Sequence, residues 1–169
     1  MLRSVLAVLV GWMVGCGVNI GVILTSTAMY PHTDEFTEAS KIHQGSKPDD
    51  VDEDAWKTKR DAAWETMRVE FANVPLFAML LVLLAHAGGT FAGCAACVRI
   101  TRRGPLACAM VIGVMFLLGG MAMLTIIPAP TWLAVTDLVL YLPAAWLGYR
   151  LCRRPLAVSP PEPAVDGTS

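Results

Sequence analysis

Long apolar stretches alternate with short polar ones along this chain, and the apolar stretches are long enough to cross a membrane. No acidic residue, lysine or arginine occurs from Ser4 to Thr33, from Phe71 to Val98, or from Gly104 to Thr136. A helix needs about 20 apolar residues to cross the ~30 Å hydrocarbon core of a bilayer. The last stretch holds Pro128 and Pro130 around Ala129, so it reads as two helices joined by a tight turn. The predicted spans are residues 5–29, 76–98, 105–127 and 132–152. The expected fold class is all-α: a polytopic membrane protein with four transmembrane helices in a single domain over residues 1–154. Residues 155–169 are expected to form a disordered cytoplasmic tail.

The 45 residues from 30 to 74 form the one long polar segment, an exported loop in this reading. Residues 31–50 are rich in Pro, Asp, Ser, Thr and Gly, and an irregular conformation is expected there. From Asp52 the pattern becomes helical. Trp56, Ala63, Met67 and Phe71 share a stripe with Trp64 at its edge, behind the acidic start Asp52, Glu53 and Asp54. An amphipathic helix over 53–73 is predicted, with Pro75 opening the second span. Its apolar face has two uses: the membrane interface, or packing across the mouth of the bundle.

Charge orients the bundle. The net charge of −1 conceals six Lys/Arg and eleven Asp/Glu in the long loop, and an arginine excess elsewhere. Arg3 precedes the first span, Arg99, Arg102 and Arg103 follow the second, and Arg150, Arg153 and Arg154 close the fourth. Basic residues collect in short cytoplasmic loops, so both termini and the second loop are expected inside. The acidic loop argues against nucleic acid as a partner and against strong binding to anionic lipid. The expected partners are the lipid bilayer and either a second copy or another membrane protein.

Small residues mark the packing faces. Gly11, Gly15 and Asn19 recur every fourth residue after Ala7, and Ala85, Gly89, Gly93 and Cys97 do the same in the second span. Such ridges let two backbones approach closely in lipid, so the first two spans are expected to pack through them, with a homodimer contact as the alternative. The third span offers Gly113 and the Gly119–Gly120 pair, and Pro143 is expected to kink the fourth. All five cysteines, Cys16, Cys94, Cys97, Cys108 and Cys152, lie within or at the ends of spans and read as small apolar residues. Met13-Val14-Gly15-Cys16 approaches a bacterial lipobox but departs at Met13, and the chain stays apolar beyond Cys16. The long first run favours an uncleaved anchor.

Ionisable side chains at membrane depth are costly and therefore informative. His86 lies ten residues into the second span, Asp137 falls early in the fourth, and Asn19 lies in the same half of the first. With Thr90 and Tyr141 one turn from His86 and Asp137, these five form a candidate intramembrane polar cluster. A His–Asp pair can relay protons, or it can act as a structural hydrogen bond between two helices. Structure is favoured over relay, because no second acidic residue marks a pathway. Cys94-x-x-Cys97 resembles the motif of quinone-linked disulfide-exchange enzymes, but those also need cysteines in an exported loop, and this loop has none. No catalytic residue, metal ligand set or cofactor motif is expected.

Four segments carry a resemblance: Leu84-Ala-His86-Ala-Gly-Gly-Thr90-Phe-Ala-Gly93, Leu118-Gly-Gly120, Pro128-Ala-Pro130-Thr-Trp132 with Asp137, and Tyr141-Leu-Pro143-Ala-Ala-Trp-Leu-Gly148. In these the chain resembles a loose group of uncharacterised small bacterial inner-membrane proteins. The resemblance covers all four spans but not the long loop. It implies a four-helix fold and a bacterial inner membrane, and it carries over no functional residue. The expectation is a non-enzymatic accessory or structural membrane protein. A small proton-coupled transporter or channel subunit using His86 and Asp137 is the alternative, and a thiol-redox enzyme the third reading.

Overall fold

The computed structural model describes residues 2–101 and 104–153. Arg102, Arg103, Arg154 and the tail expected at 155–169 lie outside the described residues. Six helices follow in order: α1 (Leu2–Met29), α2 (Asp34–Gln44), α3 (Glu53–Ala72), α4 (Leu76–Ile100), α5 (Pro105–Met123) and α6 (Thr131–Cys152). No strand occurs among the described residues. Helices α1, α4, α5 and α6 are each long and apolar enough to cross a membrane, so the protein is an all-α, multi-pass membrane protein.

Helix α4 is the hub, packed against α1, α5 and α6, while α5 also meets α6 and α1. The glycine ridges form the α1–α4 seam. A Cβ built on Gly11 would stand 2.6 Å from the Gly93 carbonyl oxygen, and one on Gly93 2.6 Å from that of Gly11. Gly15 and Gly89 repeat the relation at 2.7 Å. Backbones this close need glycine on both sides. Gly113 opposes Ala145 between α5 and α6, and Gly148 opposes the Phe91 carbonyl between α6 and α4. At one end of the bundle, called here the arginine end, Arg3 Nε donates to the Ile100 carbonyl at 3.1 Å. Gly104 (φ 61°) supplies the left-handed turn between α4 and α5, with Pro105 at the first position of the helix.

The opposite end, the loop end, departs from expectation. The segment read as irregular contains α2. Its signals are local: Thr33 Oγ1 accepts from the Phe36 amide at 3.1 Å, Asp34 and Glu35 fill the first turn, and Lys41 and His43 the last. Phe36 and Ile42 then pack with Ala39 against Ala63, Met67 and Trp64 of α3. The α3 stripe is thus used in packing, against α2 and, through Phe71, against Met79, Leu83 and Leu133 at the bundle rim. Asp52 caps α3 through bonds from the Asp54 and Ala55 amides. On its outer face Arg68 makes two hydrogen bonds to Glu65, which hold that carboxyl below its usual range. The pair is fully exposed and adds little to stability.

Helix α5 ends at Met123, four residues before the predicted 127. Pro128 disfavours helix at Ile127, and the chain turns early, with the Thr125 amide and hydroxyl both donating to the Ala122 carbonyl. Helix α6 runs continuously through Pro143.

Candidate functional site

The site is built from α4, which carries His86, and α6, which carries Asp137 and Tyr141. His86 Nδ1 stands 2.7 Å from Asp137 Oδ1. Tyr141, one turn along α6, donates its hydroxyl to Asp137 Oδ2 at 3.0 Å. A carboxylate in its ionised form only accepts, and opposite such a form the proton of this bond belongs to His86 Nδ1. The Tyr141 ring stacks on His86 with centroids 5.8 Å apart and on Phe116 at 6.5 Å. Gly120 of α5 makes room for it: a Cβ there would stand 2.8 Å from the phenol ring and hydroxyl. That role for Gly120 was not read from the sequence, although its glycine pair was the signal.

The other two expected members are not joined to this trio. Thr90 is fully buried, but its hydroxyl donates to the His86 backbone carbonyl at 2.8 Å, not to the ring. This is the usual back-bond of a helical threonine. Asn19 lies on the α1 ridge over Gly89, whose built Cβ would meet Asn19 Cβ at 3.1 Å. Its Oδ1 is buried with no hydrogen-bond partner among the described residues. The expected five-residue cluster is therefore a trio, with Thr90 and Asn19 beside it.

A cavity of about 520 Å³ opens from His86 and Asp137 toward the loop end. Its walls are apolar, with Ile23 of α1, Met79, Val82 and Leu83 of α4, Leu124 beyond α5 and Leu133 of α6. His86 and Asp137 line its floor beside Gly120, and His32, Thr33, Glu70 and Asn73 ring its mouth. Thr33 donates to Glu70 Oε2 at 2.9 Å, tying the start of α2 to the end of α3 at that mouth. Toward the arginine end α1 and α5 approach closely, with Gly11 against Ile112 and Gly15 against Phe116. The size falls within the ~300–1,000 Å³ of small-molecule sites.

Cys94 and Cys97 lie in the core at the arginine end, both fully buried, and Cys94 Sγ donates to the Ala109 carbonyl at 3.3 Å. Among the described residues no three His, Cys, Asp or Glu side chains stand together as a metal site.

No protein-family model, curated protein or solved structure matches this chain. The functional reading therefore rests on the geometry.

Proposed function

We propose that this is a non-enzymatic binding protein of the bacterial inner membrane, whose loop-end cavity receives a small apolar molecule while the His86–Asp137 pair, braced by Tyr141, engages that molecule's polar group. Supporting this is one observation: His86 and Asp137, the latter held by Tyr141, form the floor of a cavity whose walls are apolar. A hydrogen bond that only fastened α4 to α6 would need no space beside it. The arginines at the other end favour a cytoplasmic placement of both termini, and thus a cavity opening toward the exterior. Cys94 and Cys97, buried in packing, lend the redox reading no support. The test is native mass spectrometry of protein purified from membranes. The wild type is expected to retain a small molecule that is absent from Val82→Trp, where the cavity wall fills the space. Identical spectra for the two proteins would overturn the proposal.

The same contact favours a second reading, a proton relay in a small transporter. His86 pairs a titrating base with an anionic partner and also faces the cavity. In proteoliposomes this reading expects Asp137→Asn to lose proton-coupled flux while the fold survives; flux equal to wild type would contradict it.

A further inference from the structure

We infer that the cavity takes a neutral hydroxylated lipid, with the hydroxyl bonded to His86 Nε2 and the apolar body extending toward the loop end. The inference rests on the cavity being a binding site, as proposed above, and names what it selects. Charge narrows the class first. The lining holds two carboxylates, Asp137 and Glu70, and no lysine or arginine among the described residues. A phosphate or carboxylate head would enter low dielectric beside like charge with no lysine or arginine to pair with, which is unfavourable. An ammonium head fares no better at the floor. Each Asp137 oxygen already accepts one hydrogen bond, Oδ1 at 2.7 Å from His86 and Oδ2 at 3.0 Å from Tyr141, so an ammonium would have to share a carboxylate whose charge is already partly engaged.

The hydrogen-bonding capacity left over narrows it further. Asp137 engages Nδ1, and His86 Nε2 has no partner among the described residues although the side chain lines the cavity. Neutral imidazole presents a lone pair at Nε2, and imidazolium presents an N–H. A hydroxyl, as both donor and acceptor, satisfies either form. A hydrocarbon satisfies neither. The walls of Ile23, Met79, Val82, Leu83, Leu124 and Leu133 then suit an apolar tail of small-molecule size.

One tail with four heads tests this. Full-length protein in nanodiscs is titrated with farnesol, farnesene, farnesylamine and farnesyl diphosphate, each competing against tritiated farnesol. Farnesol is expected to bind about 5-fold more tightly than farnesene, the equivalent of one hydrogen bond of ~1 kcal/mol, and more tightly than both charged ligands. His86→Leu should erase the farnesol advantage and leave farnesene binding intact. Should that variant fail to fold, the wild-type ranking decides alone. Equal binding of farnesene and farnesol, or preference for either charged head, overturns the inference but leaves the binding site standing. Failure of all four to bind overturns the inference and the binding-site reading together.

Discussion

Replacing Gly93 with alanine tests how α1 and α4 meet. The added Cβ would fall 2.6 Å from the Gly11 carbonyl oxygen, 3.3 Å from Gly15 Cα and 3.4 Å from the Gly11 carbonyl carbon. All three are backbone atoms, so no side-chain rotation relieves the clash. Restoring a 3.4 Å contact from 2.6 Å requires α1 to retreat by about 0.8 Å. A gap of 0.5–1 Å forfeits roughly a quarter to a half of each dispersion contact it opens, and α1 meets α4 also through Gly15 and Gly89. Overpacking of this kind costs ~1–3 kcal/mol, against the ~1 kcal/mol by which alanine favours helix over glycine. The expected net effect of Gly93→Ala is a loss of roughly 1 kcal/mol. Gly89→Leu, with three further heavy atoms to place against Gly15, should lose more. Gly17→Ala is the control, because nothing lies within 4 Å of a Cβ there, and it should be neutral or stabilising. Reversible unfolding in mixed micelles reads all three. Wild-type stability for Gly93→Ala, or an equal loss for Gly17→Ala, would refute the reasoning.

Other expectations follow from single contacts. Asp137→Ala should cost ~1–2 kcal/mol by the same unfolding assay, since it removes the interhelical bond to His86, which in membranes has that scale, together with the bond from Tyr141 within α6; Tyr141→Phe should cost less, and equal losses would mean that the His86 bond adds nothing to stability. Asp52→Ala should cost about 1 kcal/mol of local α3 stability by removing its cap, seen as faster amide exchange over the first turn and absent if the cap is idle. The double variant Cys94→Ala, Cys97→Ala should stay folded and keep the wild-type cellular phenotype, at a modest stability cost from the lost buried sulfurs; loss of a quinone-dependent thiol oxidation in membranes would revive the redox reading. A reporter fused after Cys152 should be active only as a cytoplasmic fusion, and periplasmic activity would invert the proposed topology.

The four spans were legible because apolar length and charge segregation are one-dimensional signals. The glycine ridges were legible because helical spacing puts Gly11 and Gly15 on one face and Gly89 and Gly93 on another. His86 and Asp137 found each other by cost: each was the other's only ionisable partner at that depth. What failed depended on direction in three dimensions. Asn19 shares a ridge with Gly15, so its side chain goes into the seam over Gly89 and not to His86. Thr90 has an acceptor one turn back along its own backbone and uses it. Helix α2 is hard to see in the sequence although Thr33, Asp34 and Glu35 announce it, because Pro31, Gly45 and Pro48 crowd its flanks and mask an 11-residue helix. The cavity could not be read from residue spacing at all, since its lining comes from α1, α4, α6 and the connections around α2, α3 and α5, and so depends on how these come together in three dimensions.

The central claim is that His86 is hydrogen-bonded on one nitrogen and offered to a cavity on the other. Imidazole nitrogen NMR of the protein in nanodiscs, with and without farnesol, tests it most directly. The account predicts an Nδ1 resonance typical of a strong hydrogen bond to carboxylate that stays fixed, and an Nε2 resonance that moves on ligand addition in the wild type but not in Val82→Trp. An Nε2 resonance indifferent to ligand, or an Nδ1 with no hydrogen-bond signature, would contradict it.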